Sequence, residues 1–210
     1  TNVESATVSI SGGFVSGEDV LAFADTANIT GVYDAATGVL TLTGTDTKAV
    51  YEAALESVTY QNTNTDNPNA GSRTISFVVN DGDVNGPTAT ATVSVAAVND
   101  APVLGGAGET LTFVEGGVAT IIDATLDLAD VDDDNIESAT VSLTSGFVTG
   151  EDVLAFVNTA NITGVFDATT GVLTLTGTDT KAAWEAALES VTYQNTNAVD
   201  PDTGDRTVSF

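Results

Sequence analysis

The sequence predicts an all-β protein built from tandem Greek-key β-sandwich domains, with one short helix inserted in each. Three observations lead there. Residues 2–77 align without a gap to residues 135–210 at a constant offset of 133, with 58 of 76 positions identical. Within this unit, short runs of Thr, Val and Ile alternate with polar residues and are bounded by Gly, Asn and Asp, the mark of half-buried strands. One further run has the spacing of a helix. Because 210 is 133 plus 77, residues 78–134 occur once, between two copies of the rest. The chain therefore reads as a window on a longer tandem array, and residue 211 onward is expected to resemble VVNDGDVNG.

Taken in order, the expected strands of the first copy are ATVSI (6–10), DVLAF (19–23), ITGVY (29–33), GVLTLTG (38–44), SVTYQ (57–61), RTISFVV (73–79) and TATATVSV (88–95). YDAATGVL reads as a hairpin, with Asp34 opening the turn and Gly38 supplying a positive φ. The run from Thr47 to Glu56 is rich in good helix formers and sets Val50, Tyr51, Ala54 and Leu55 on one face, with Thr45 or Thr47 as the cap. Seven or more short strands per unit fit a sandwich with Greek-key connections. In AAVNDAPVL (96–104), Pro102 blocks a sheet ladder and Asn99 and Asp100 favour a turn, so a linker is placed at 99–101. The first domain is then 1–98, without opening strands, and the second 102–210, without a closing strand. The opening strands have their counterparts at LTFVEGG and VATIIDATLDL, between residues 111 and 128.

Composition narrows function. The chain is 42% hydrophobic and 16% charged, as in globular proteins, and no apolar run approaches the length of a membrane span. Thirty acidic residues against four basic ones give a net charge of −26, a field that repels nucleic acid and anionic membranes and attracts cations. With neither Cys nor His, thiol chemistry, disulfides, imidazole catalysis and ordinary zinc sites are removed, and a non-enzymatic role is expected. The four cations fall on repeat-equivalent positions, Lys48 with Lys181 and Arg73 with Arg206, which implies a fixed structural role in each repeat. Tyr51 and Trp184, equivalent in the helix, and Tyr60 and Tyr193 read as core anchors. Scattered acids such as Glu4, Asp46 and Glu52 read as solvated surface.

The densest acidic run is Asp130, Asp132, Asp133 and Asp134. In an extended backbone, residues 130, 132 and 134 would point to one side, where their mutual repulsion calls for a cation. A hard divalent ion with all-oxygen ligands suits this set, so Ca2+ is the expected cofactor. An EF-hand is rejected: counting from Asp130 puts Asn135 where Gly is required and Val141 where the bidentate Glu belongs. A calcium-roll nonapeptide fails as well, since GGAGETLTF carries Thr110 in place of the Asp. If an even number of strands separates them, the loops holding Asp130 to Asp134, Asn99 with Asp100, and Asp66 (in QNTNTDNPNAGS) converge on the junction between domains. Asp81 and Asp83, in the turn NDGD, and Glu115 would serve the junctions with neighbouring repeats. The expected metal ligands are thus Asn99, Asp100, Asp130, Asp132, Asp134, Asp66, Asp81, Asp83 and Glu115.

The run TKAVYEAALESVTYQNTNTDNP, then RTISFVVNDGD and ATVSVAAVNDAPVL, resembles the cadherin-like or immunoglobulin-like tandem repeats of large bacterial RTX-type adhesins. VNDAP resembles the cadherin linker that places calcium between domains, DVD (130–132) its acidic pair, and VEG around Glu115 its first-strand glutamate. A recognisable DRE motif is missing, and the helix is an insertion. The resemblance implies immunoglobulin-like folds, calcium, export to the bacterial cell surface, and a role as extender repeats whose partners are the neighbouring repeats of the same chain. Two alternatives stand beside it: a subunit of a self-assembling extracellular filament or surface layer, and an adhesive domain that binds a glycan or surface ligand.

Overall fold

The structure is a computed structural model and describes residues 2–210. By its internal contacts the chain divides into Thr1–Val98 and Asn99–Phe210. In the first unit the strands are β1 (Asn2–Gly12), β2 (Asp19–Ala22), β3 (Thr30–Asp34), β4 (Val39–Thr47), β5 (Thr59–Asn62), β6 (Gly71–Asn80) and β7 (Ala89–Val95), with helix α1 (Lys48–Glu56) between β4 and β5. A five-stranded antiparallel sheet runs in the order β3-β4-β1-β6-β7, and β2 pairs with β5 separately. The alternation in the sequence sets the faces: Val3, Ala6, Val8 and Ile10 of β1 and Leu40 and Leu42 of β4 are buried, while Thr7, Thr41 and Thr43 face outward. These apolar residues meet Leu21 of β2 and Tyr51 and Ala54 of α1 in one core, so the helix and the small sheet cover the large one.

Local chemistry fixes the connections. Thr47, not Thr45, caps α1, its hydroxyl accepting from the Val50 amide at 3.4 Å, and Thr180 does the same for Ala183 in the second unit. Asp34 accepts from the Ala36 amide and the Thr37 hydroxyl, and Gly38 closes the hairpin at φ 70°.

The second unit contains β8 (Val103–Gly105), β9 (Thr120–Ile121), β10 (Asp127–Ala129), β11 (Asn135–Ser145), β12 (Asp152–Ala155), β13 (Thr163–Asp167), β14 (Val172–Thr180), β15 (Thr192–Asn195) and β16 (Thr207–Ser209), with α2 (Lys181–Glu189) after β14. Its sheets are β13-β14-β11-β16, β12-β15-β9 and β10-β8. The register of β11 on β14 reproduces that of β1 on β4 pair for pair, shifted by 133, including the irregularity between Val3 and Ser5. Trp184 stands where Tyr51 does and is fully buried.

Three elements differ from the sequence reading. LTFVEGG forms no strand, although Leu111 and Phe113 still pack on the core and the Phe113 ring meets Tyr193 edge-on at 5.3 Å. VATIIDATLDL is broken into β9 and β10 because the buried Asp123 turns the chain. Its carboxylate accepts from the amides of Gly108, Glu109 and Thr125 and from the Thr125 hydroxyl, bonds that an extended ladder could not supply. Directly after Pro102 the chain forms β8, paired with β10, which the linker reading left out.

Candidate metal centre

The acidic run in the second unit is bent. Asp130 accepts, through Oδ1, the amides of Asp132 at 3.1 Å and Asp133 at 3.0 Å, closing a turn on its own carboxylate. Lys181, the first residue of α2, donates from Nζ to the carbonyl oxygens of Asp130 and Asp133 and fastens the loop to the helix. The extended geometry expected from the sequence therefore does not hold. Carboxylate oxygens of Asp130, Asp132 and Asp133 lie within 4.8 Å of one another, so Asp133 joins the group in place of Asp134. Asp134 lines the neighbouring surface depression with Asp130, Asp133 and Pro102.

Asp100, two residues past the boundary at Val98, donates its amide to Oδ2 of Asp132 at 2.9 Å, and Asn99 donates its side-chain amide to the Asp100 carbonyl. The other oxygen of Asp132, Oδ1, is buried and has no hydrogen-bond partner. A buried carboxylate oxygen without a donor is costly, and beside two further carboxylates it suits a cation. Asp130 is held below the usual carboxylate range, first by the Asp133 amide and then by the Asp132 amide, with Lys181 adding to the effect. The set is all oxygen, which fits a hard divalent ion such as calcium.

The remaining sequence-expected ligands lie elsewhere. Asp66 is exposed in the loop after β5, its carboxylate accepting from the Thr65 hydroxyl. Asp81 caps its own turn, accepting the amides of Asp83 and Val84, and Asp83 is exposed. Glu115 stands at a turn on the rim of a cavity in the second unit. These residues belong to separate loops of their own units.

The sequence reading did not pick out the acids that matter most to the fold. In the first unit Asp19 is buried and takes the Arg73 Nε at 2.9 Å, the side chains being 0% and 2% exposed. The hydroxyl of Tyr60, the side chain of Asn62 and the Val15 amide complete its shell. Burial pushes Asp19 up, but Tyr60, Arg73 and the Val15 amide outweigh it and its pKa is lowered. Asp152, Arg206, Tyr193, Asn195 and Val148 repeat the arrangement in the second unit, with Arg206 Nε at 3.0 Å. Beside each pair a glutamate, Glu18 or Glu151, collects the asparagines of the following loop: Glu18 accepts from Asn62, Asn64 and the Asn69 amide, Glu151 from Asn195, Asn197 and the Asp202 amide. The signal was available, since Asp19 and Arg73 both recur at the offset of 133.

Residues of this chain are 35% identical over 144 residues to Halomucin of Haloquadratum walsbyi. The aligned part covers 63% of this chain and 2% of that protein, which is therefore a very long polypeptide. No family model matches, and no solved structure matches. No helix among the described residues is long and apolar enough to cross a membrane.

Proposed function

We propose that the chain is a pair of structural repeats from a long extracellular surface protein, folded as Greek-key immunoglobulin-like sandwiches and stiffened by calcium where one repeat follows another. The observation that carries this reading is the three-carboxylate loop with its unpartnered Asp132 oxygen, tied by hydrogen bond to Asp100 just past the unit boundary. A cation bound by Asp130, Asp132 and Asp133 would neutralise a local cluster in a chain of charge −26 and hold the Asn99–Asp100 segment in one conformation. The near-identity of the two copies supports a scaffold over a single active site. The similarity to a stretch amounting to 2% of Halomucin supports a place within a long chain.

The test is calorimetric titration of the chain with calcium, repeated in excess sodium chloride and with magnesium, together with small-angle scattering in calcium and in chelator. Saturable calcium binding, a raised melting temperature and a calcium-dependent change in extension are expected. An equal response to sodium chloride alone would reduce the acidic loop to a screened surface and overturn the reading, as would identical scattering in calcium and chelator.

A further inference from the structure

One short motif recurs in equivalent loops of the two units. Of the fourteen asparagines in the chain, only Asn28 and Asn161 stand in the pattern Asn-x-Ser/Thr, as Asn28-Ile29-Thr30 and Asn161-Ile162-Thr163. Each lies just ahead of a strand, β3 or β13, whose first residue is the threonine of the motif. Both asparagines are exposed, while the isoleucine that follows each is wholly buried and pins the loop to the core. The base is close-packed, since Gly44 and Gly177 leave no room for a Cβ against the Asn28 and Asn161 carbonyls. From its side-chain amide Asn28 donates to Asp46 at 2.9 Å, and Asn161 to Asp179 at 3.1 Å. An amide nitrogen carries two hydrogens, so the bond to the aspartate leaves one for substitution.

The strands that these loops introduce are edge strands in both units. β3 pairs with β4 alone and β13 with β14 alone, each at the end of its sheet. In the first unit β7 stands at the opposite end, and in the second β8 pairs with β10 and β9 with β15, so none of these strands reaches the β3 or β13 edge. Each edge strand presents an exposed valine, Val32 at 69% and Val165 at 71%. Neither TGVYD nor TGVFD contains the Lys or Pro that commonly keeps edges apart, and the one acid of each, Asp34 or Asp167, is engaged by the turn that follows. The loop itself covers one backbone amide of each strand: Gly31 donates to Oδ1 of Asp25 at 2.8 Å, and Gly164 to Oδ1 of Asn158 at 2.9 Å.

We propose that Asn28 and Asn161 are acceptors for N-linked oligosaccharides, and that these sugars complete the cover of the β3 and β13 edges. The assignment rests on the extracellular reading above, since the motif is used on exported chains. In the transfer, Nδ2 bonds to C1 of the first sugar as the C1–O bond to a polyprenyl-phosphate carrier breaks. The phosphate leaves with the bonding electron pair, and one amide proton passes to base. The hydrogen that remains on Nδ2 keeps a donor for Asp46 or Asp179. Two residues of extended chain put the attachment point about 7 Å from the first residue of the edge strand, so several sugars lie across the path of any backbone that would pair there. Bulky, solubilising sugar shields the exposed valines without adding charge to a chain already at −26.

The experiment recovers the protein from the cells that make it and maps its asparagine-containing peptides by mass spectrometry. Peptides with Asn28 and Asn161 should each carry one oligosaccharide, and those with Asn62 and Asn195, which lie outside the pattern, none. In the same cells Thr30→Val and Thr163→Val should abolish the addition with both asparagines in place, and Thr30→Ser and Thr163→Ser should keep it. The double variant Asn28→Gln, Asn161→Gln should retain its circular dichroism and show concentration-dependent association in sedimentation that the glycosylated chain lacks. Bare asparagines in protein taken from the cell surface overturn the proposal and leave the surface reading standing, whereas protein found bare and only inside the cell overturns both. Addition that survives the Thr→Val changes overturns the acceptor assignment, and a double variant that sediments as the glycosylated chain does overturns the role at the edges.

Discussion

Removing Asp152 should cost the second unit a large part of its stability. Its carboxylate accepts from Arg206 Nε at 3.0 Å, the Tyr193 hydroxyl at 2.7 Å, the Val148 amide at 2.7 Å and the Asn195 side chain at 3.3 Å. Asp152→Ala strips these four donors of their acceptor and leaves a guanidinium only 8% exposed. Its remaining partners are Asp202 and the Gly204 carbonyl. Breaking a buried ion pair from one side costs about 3–5 kcal/mol, against the ~5–15 kcal/mol that holds an ordinary domain together. At ~3–5 °C per kcal/mol for a unit of this size, the melting temperature should fall by about 10–25 °C. Trp184 is the single tryptophan of the chain and is fully buried in this unit, so its emission follows the unfolding. Urea titration of the same signal supplies the free energy at constant slope. A double variant, Asp152→Ala with Arg206→Met, should recover part of the loss, because the uncompensated charge has gone. A loss under about 1 kcal/mol in the single variant, or no recovery in the double, refutes the argument that this pair holds loop and sheet together.

Three further outcomes are expected. Asp132→Asn should weaken calcium binding at least tenfold by calorimetry while leaving the apo melting temperature nearly unchanged, since it removes a ligand charge but no donor to the loop. On acidification, Asp123 is the group to follow. Burial opposes its ionisation, but the Thr125 amide and hydroxyl and the amides of Gly108 and Glu109 hold its pKa down to about 2. Because the folded value lies below the unfolded one, the stabilisation is full above about pH 4 and is lost as pH falls towards 2. Asp123→Asn should therefore flatten the acid limb of a Trp184-monitored stability curve. Finally, Gly177→Ala should destabilise the second unit by at least about 1–3 kcal/mol from backbone strain alone: φ is 142°, and a Cβ there would lie 1.8 Å from the Asn161 carbonyl oxygen. Circular dichroism melts read this directly.

Much of the architecture was written in local pattern. Period-two alternation placed β1, β4 and β6, and the change to helical spacing at Thr47 placed α1, because in both cases the residues that must be buried are close in sequence. The opening segment of the second unit was misjudged for the opposite reason. LTFVEGG has the composition of a strand, but a strand exists only where another backbone pairs with it, and none among the described residues does so. The acidic run shows the same limit at the candidate site. Density of carboxylates identified the loop from the sequence. Which of them meet depended on the Asp130 turn and on the clamp from Lys181, 51 residues away, which bring Asp133 in and leave Asp134 outside the group.

By itself, then, the sequence determined the repeat of 133 residues, the alternation that forms the strands, the helix, and the charge that draws cations to the chain. Only the tertiary structure decided that Asp19 and Asp152 are buried partners of Arg73 and Arg206, and that Asp132 keeps an oxygen without a donor. The physical reason is separation along the chain: strands and caps depend on neighbours a few residues away, whereas an ion pair spanning 54 residues exists only once the elements are assembled.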